Sequence, residues 1–223
     1  MTDTTTAAQP RGLVKPRLRG VTHLYAFFVS LLSGTVLVLL APAGRATFAA
    51  AVYAAGMSGM LGASALLHRG NWSEATYRRL TRLDHSMIFI MIAGTYTPLG
   101  VLVLSGWLHT AVLIAVWAGA AFGIVFEWAS DRLPRGWVTS VYITLGWVGV
   151  VSLPQMWASM GVLGCFLILG GGVFYTGGAI VHAARAPDPS PLVFGYHEIF
   201  HVCVLVAAAM HWCCIAFIVL PRG

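Results

Sequence analysis

Two histidines four residues apart, His197 and His201, flank Glu198 in the string His197-Glu198-Ile199-Phe200-His201. On a helix, residues i and i+4 share one face about 6 Å apart along the axis, a spacing at which two imidazoles reach one metal ion. The string also fits His-Glu-x-x-His, in which the glutamate of a metalloprotease is a general base. The pentapeptide is equally compatible with a plain helix start, where Glu198 favours the positive end of the helix and the histidines bond to lipid head groups. Glu198 lies about 100° around the helix from His197 and need not face a metal. A zincin takes its third ligand from further along the chain. Only 22 residues follow His201, and the one candidate among them, His211, would lie about 15 Å away along the axis. Any further ligand must come from upstream.

Such residues exist, and the rest of the chain makes them conspicuous. Of 223 residues, 58% are hydrophobic and only 9% are Asp, Glu, Lys or Arg. A soluble domain carries about a quarter charged residues, so this composition excludes a soluble enzyme, a disordered chain and a disulfide scaffold. Four cysteines without CxxC spacing read as small buried hydrophobes. Apolar runs of about 20 residues predict an all-α, seven-transmembrane-helix bundle, with spans near 21–42, 47–68, 83–104, 107–128, 137–157, 160–182 and 196–220. The third and fourth spans are separated only by Ser105-Gly106, the fifth and sixth only by Ala158-Ser159. The first run is too long for the core of a cleavable signal peptide, although Ala41-Pro42-Ala43 imitates a cleavage site. Residues 1–19 are expected to be a disordered cytoplasmic tail, and residues 20–223 the integral membrane domain.

The net charge of +6 is a topology signal rather than a nucleic-acid footprint. With these spans, 11 of the 13 Lys and Arg fall in the N-terminal tail and the second, fourth and sixth connections, leaving Arg45 and Arg222 on the other side. The N-terminus is therefore expected in the cytoplasm and the C-terminus outside, in the cell membrane. The only lysine, Lys15, lies in the tail, so no membrane-embedded Schiff base to retinal can form, and the N-terminus-inside orientation argues against a G-protein-coupled receptor.

All seven acids and six of eight histidines belong to the cytoplasmic side. His68 ends the second span, Ser64 lies one turn deeper on the same face, and Asp84 opens the third span. Three histidine nitrogens and a water are the ligand set of a catalytic zinc, and Asp84 could hold or deprotonate that water. His68 as an interfacial cap and Asp84 as an N-terminal helix charge are the bland alternatives. Intramembrane ionisable residues are costly and usually functional, which favours zinc. Glu127, Asp131 and Arg132 read as an interfacial charge cluster, and His85 and His182 as polar caps at the interface, with support of the metal ligands as the alternative for the two histidines. Gly119-x-x-x-Gly123 reads as bundle packing, with a homo-oligomer as its alternative use. Pro98 suggests a kink, with Thr95-Tyr96-Thr97 satisfying freed backbone groups and Tyr96 lining a cavity.

The strings Ser64-Ala65-Leu66-Leu67-His68, Leu83-Asp84-His85-Ser86 leading to Ala93-Gly94-Thr95-Tyr96-Thr97-Pro98, and Phe194-Gly195-Tyr196-His197-Glu198-Ile199-Phe200-His201 resemble the bacterial hemolysin III family, related to the progestin and adipoQ receptors. The resemblance implies seven helices with the N-terminus inside and zinc on His68, His197 and His201, with Asp84 contacting it through water and Ser64 beside the site. It further implies a ceramidase-like hydrolase of a lipid amide or ester, with a membrane lipid as substrate or ligand. Two other readings stay open: a non-enzymatic protein with structural or sensory zinc, and a pore-forming cytolysin.

Overall fold

The computed structural model describes residues 15–129 and 137–223. Asp131, Arg132 and Arg135 lie outside the described residues, as do residues 1–14 of the expected tail. The chain is helical: α1 (Val21–Leu40), α2 (Arg45–Arg69), α3 (Glu74–Leu102), α4 (Gly106–Ala129), α5 (Trp137–Gly146), α6 (Leu153–Ala184) and α7 (Tyr196–Cys214). A 3-10 turn, Val148–Ser152, joins α5 to α6.

Six runs among the described residues are long and apolar enough to cross a membrane, where the sequence predicts seven. The fifth, Trp137–Ala184, has 48 residues, about 72 Å if straight, against a hydrocarbon layer of about 30 Å. It is not straight. Gly161 has φ 68° and ψ −172°, three residues past Ala158. Before this point Gln155 bonds to Ser105 at the far end of α3. After it, Gly164 and Ile168 face Cys214 and His211 of α7, and His182 reaches the ring of His197. A side chain at this φ and ψ is strained, yet a Cβ on Gly161 would meet nothing within 4 Å. Gly161→Ala is therefore expected to cost about 1–3 kcal/mol through backbone strain alone, read as a lowered melting temperature in detergent.

α1 and α4 turn large apolar side chains outward, with Leu39 and Leu40 more than three-quarters exposed. Water would penalise such a face, whereas lipid is its natural neighbour. α2 and α3 are the buried pair. Gly56 lies against the Ile90 carbonyl and Gly94 against that of Val52, so these backbones approach where a larger residue would crowd them. Gly119 and Gly123 face Leu145 and Phe89 within the bundle, which is the packing role expected of them. Thr95 and Thr97 donate to the Met91 and Ala93 carbonyls. Pro98 frees the Gly94 carbonyl instead, so these threonines do not compensate for it, contrary to expectation.

Two boundaries bear on the site. α3 begins nine residues before the predicted span because Ser73 caps it, its hydroxyl accepting from the Thr76 amide, with Glu74 in the first turn. Asp84 is thus inside a helix rather than at its start. Residues 15–19, the end of the expected tail, are held against the bundle. The Arg17 and Leu18 amides donate to the Leu192 and Val193 carbonyls, and the Lys15 ammonium to that of Gly70.

Candidate metal centre

Two helix ends converge here. His68 comes from the last turn of α2, His197 and His201 from the first turns of α7, and one ligand nitrogen from each lies within 4.8 Å of the others. The Nε2 atoms of His68 and His197 are 3.1 Å apart. Two nitrogens bound tetrahedrally to a zinc ion at 2.0–2.1 Å would be separated by about 3.3 Å. His68 and His201 are buried, and the Nδ1 of His201 has no hydrogen-bond partner among the described residues. A buried polar atom without a partner is costly, and close imidazole nitrogens gain from a shared cation. The three-histidine group therefore fits a metal ion, and the donor set of neutral nitrogens suits zinc among others.

The surrounding residues hold these rings. Gly20, at φ 73°, backs directly onto His68, where a Cβ would come within 2.5 Å of the histidine's own. His23 stacks on His201 with centroids 3.8 Å apart. Its Nδ1 is 2.8 Å from the Ser64 hydroxyl, and Ser64 also interacts with the Asp84 carboxylate. Ser64 thus links a histidine to an acid beside the metal ligands. All five residues singled out in the sequence come together, and His182 joins them edge-on to His197 at 5.0 Å.

Glu127 is buried, and its Oε1 lies 2.8 Å from His85 Nδ1; its expected neighbours Asp131 and Arg132 lie outside the described residues. Tyr142 donates to the His85 carbonyl. A cavity of about 850 Å³ connects these groups. Arg19, Arg78 and Arg82 line one end of it, with His68, Asp84 and His197 nearby, while Leu99, Leu153 and Met156 line the other. Sites for small molecules run to about 300–1,000 Å³ and are mostly apolar with a few convergent polar groups. Tyr96 lines this cavity as expected, its hydroxyl donating to the Gly146 carbonyl.

His23 and Arg19, and the pairing of His85 with Glu127, are what motif reading missed. Their signal was depth: each sits level with the histidine group in a chain with few charges. Lys15, outside the spans, reports the local field, since burial and then the neighbouring Arg69 and Arg19 charges hold its ammonium below the usual lysine value.

The sequence matches the family described as haemolysin-III related over residues 11–212. It is 32% identical over 206 residues to "Hemolysin-3" of Bacillus cereus, covering 91% of each chain. It is 33% identical over 135 residues to "Hemolysin-3 homolog" of Bacillus subtilis (strain 168), covering 60% of this chain and 61% of that one. A match of this length takes in the apolar helices and every member of the histidine group, and with it the chain belongs to the haemolysin-III related family.

Proposed function

We propose that this chain is a zinc-dependent integral-membrane hydrolase of a lipid amide or ester, with its centre on the cytoplasmic side of the cell membrane. The observation that carries this reading is the placement of three clustered histidines, two of them buried, and an acid beside the polar end of a largely apolar cavity. The run Trp137–Ala184 crosses the membrane twice, turning at Gly161, which makes seven crossings with the N-terminus inside. The Lys and Arg distribution supports that topology.

His68, His197 and His201 would hold the ion, which would supply a Lewis acid and an acidified water. Asp84 takes a proton from the attacking water on its carboxylate and returns it to the leaving amine or alkoxide. Ser64, bonded to His23 and neighbouring Asp84, helps to orient the carboxylate. The apolar cavity takes the lipid chain and excludes bulk water from the reacting carbonyl.

Purified protein is expected to carry zinc and to cleave ceramides or phospholipid esters in a vesicle assay. Asp84→Asn should retain zinc while turnover falls by about 10²–10⁴, the usual contribution of a general base. Zinc-loaded protein that leaves both lipid classes intact would refute hydrolysis. A structural role for the ion has its own support, because the group joins the ends of α2 and α7. It predicts that chelation lowers the melting temperature steeply and that Asp84→Asn has no phenotype. The relatives' names bring a cytolytic reading, which predicts dye release from vesicles.

A further inference from the structure

Glu198, the most conspicuous acid of the motif, makes no hydrogen bond to the three histidines among the described residues. It is 1% exposed, and both its oxygens are committed. Oε2 accepts the Gly195 amide at 2.8 Å, and Oε1 accepts the Nε–H of Arg19 at 2.6 Å. Its effect is to fix a guanidinium at the mouth of the cavity. Arg19 is further pinned by the backbone bonds of Arg17 and Leu18, and by Gly20 against His68. It lies among the electrostatic neighbours of His68, His197 and His201.

A guanidinium has five N–H donors, and only Nε–H of Arg19 is used. Its Nη groups make no hydrogen bond among the described residues, while the side chain lines the cavity and is 21% exposed. The same end carries Lys15, Arg69, Arg78 and Arg82. Its acids are mostly engaged, Glu74 by Arg78, Glu127 by His85 and Glu198 by Arg19. Beyond this basic rim the cavity is apolar. We propose that Arg19 recognises an anionic group, a phosphate or carboxylate, on an amphiphile whose chain lies in the cavity. Two Nη groups in a fixed plane match two oxygens of such a group, a geometry that lysine lacks. Glu198 is the positioning residue that aims them. The inference rests on the cavity being a lipid site, as proposed above, and is independent of hydrolysis.

The full chain in nanodiscs of neutral lipid is titrated with dodecyl phosphate, dodecanoate, dodecanol and inorganic phosphate, each displacing a fluorescent fatty alcohol. The wild-type protein is expected to bind either anionic amphiphile about tenfold or more tightly than dodecanol, the usual size of a charge-assisted bond. Arg19→Gln should lose that preference and leave dodecanol affinity unchanged, and Arg19→Lys should retain only part of it. Arg45→Gln, at the opposite end of α2 from His68, should retain all of it. No head-group preference in the wild type would overturn the proposal, and that measurement does not depend on any variant folding. An undiminished preference in Arg19→Gln would overturn it too, as would inorganic phosphate competing as well as dodecyl phosphate. Absence of turnover alongside an intact head-group preference would fault the hydrolase reading alone.

Discussion

Replacing His201 by alanine is expected to strip the purified protein of its metal. Structural zinc sites release about 10–16 kcal/mol on binding, shared among their ligands, so losing one costs about 3 kcal/mol or more. That is a fall in affinity of over a hundredfold. The position leaves little room for rescue. His201 is 1% exposed and stacked on His23, so bulk water cannot easily supply a replacement ligand. His68→Ala should behave alike, because its Nε2 is only 3.1 Å from that of His197. His211→Ala is the control. That residue is equally buried but bonds to the Ile168 carbonyl, further along α7, and its loss should leave the metal in place. Metal content by mass spectrometry decides the matter, and full zinc in both His201→Ala and His68→Ala would refute the site.

What the sequence reveals about this centre, and what it hides, follows from the solvent. In an apolar chain every ionisable residue is costly, so His68, Asp84, His197 and His201 stand out without any knowledge of the fold. The partners that orient them do not. His23 and Ser64 are 41 residues apart and Arg19 and Glu198 are 179 apart, and no local spacing announces either contact. Hydropathy also misjudges ends. Glu74, Arg78, Arg79 and Arg82 interrupt the apolar run, yet the Ser73 cap and the Glu74–Arg78 pair let α3 continue through them. Asp84, which the run places at a helix start, is therefore an interior residue held by helix geometry on both sides. The bend at Gly161 is legible to within three residues, because Pro154, Gln155 and Ser159 lower the hydropathy where the sequence divides the fifth and sixth spans. Its exact position is not, since it uses a backbone conformation open to glycine that hydropathy does not register.

Glu198→Ala is expected to destabilise the protein more than it alters metal stoichiometry. The substitution leaves the Gly195 amide without its acceptor and the Arg19 guanidinium without its counter-ion. Removing one partner of a fully buried pair costs about 3–5 kcal/mol. Arg19 retains 21% exposure, and water at its outer edge reduces that to about 2–3 kcal/mol. For a chain of this size the drop in melting temperature is about 5–10 °C. Glu198→Gln keeps an acceptor for Gly195 but turns an amide rather than a charge toward Arg19, so it should lose roughly half as much. Metal affinity should weaken about tenfold, as for a residue that orients ligands, because His197 and His201 share the turn that Glu198 caps. At saturating zinc the stoichiometry should remain that of the wild type. This separates two meanings of the same five letters. If Glu198 were the general base of a His-Glu-x-x-His enzyme, Glu198→Gln would keep its melting temperature and its zinc and lose only turnover. The geometry predicts the reverse order, stability first, because both carboxylate oxygens already have partners and neither partner is the metal centre.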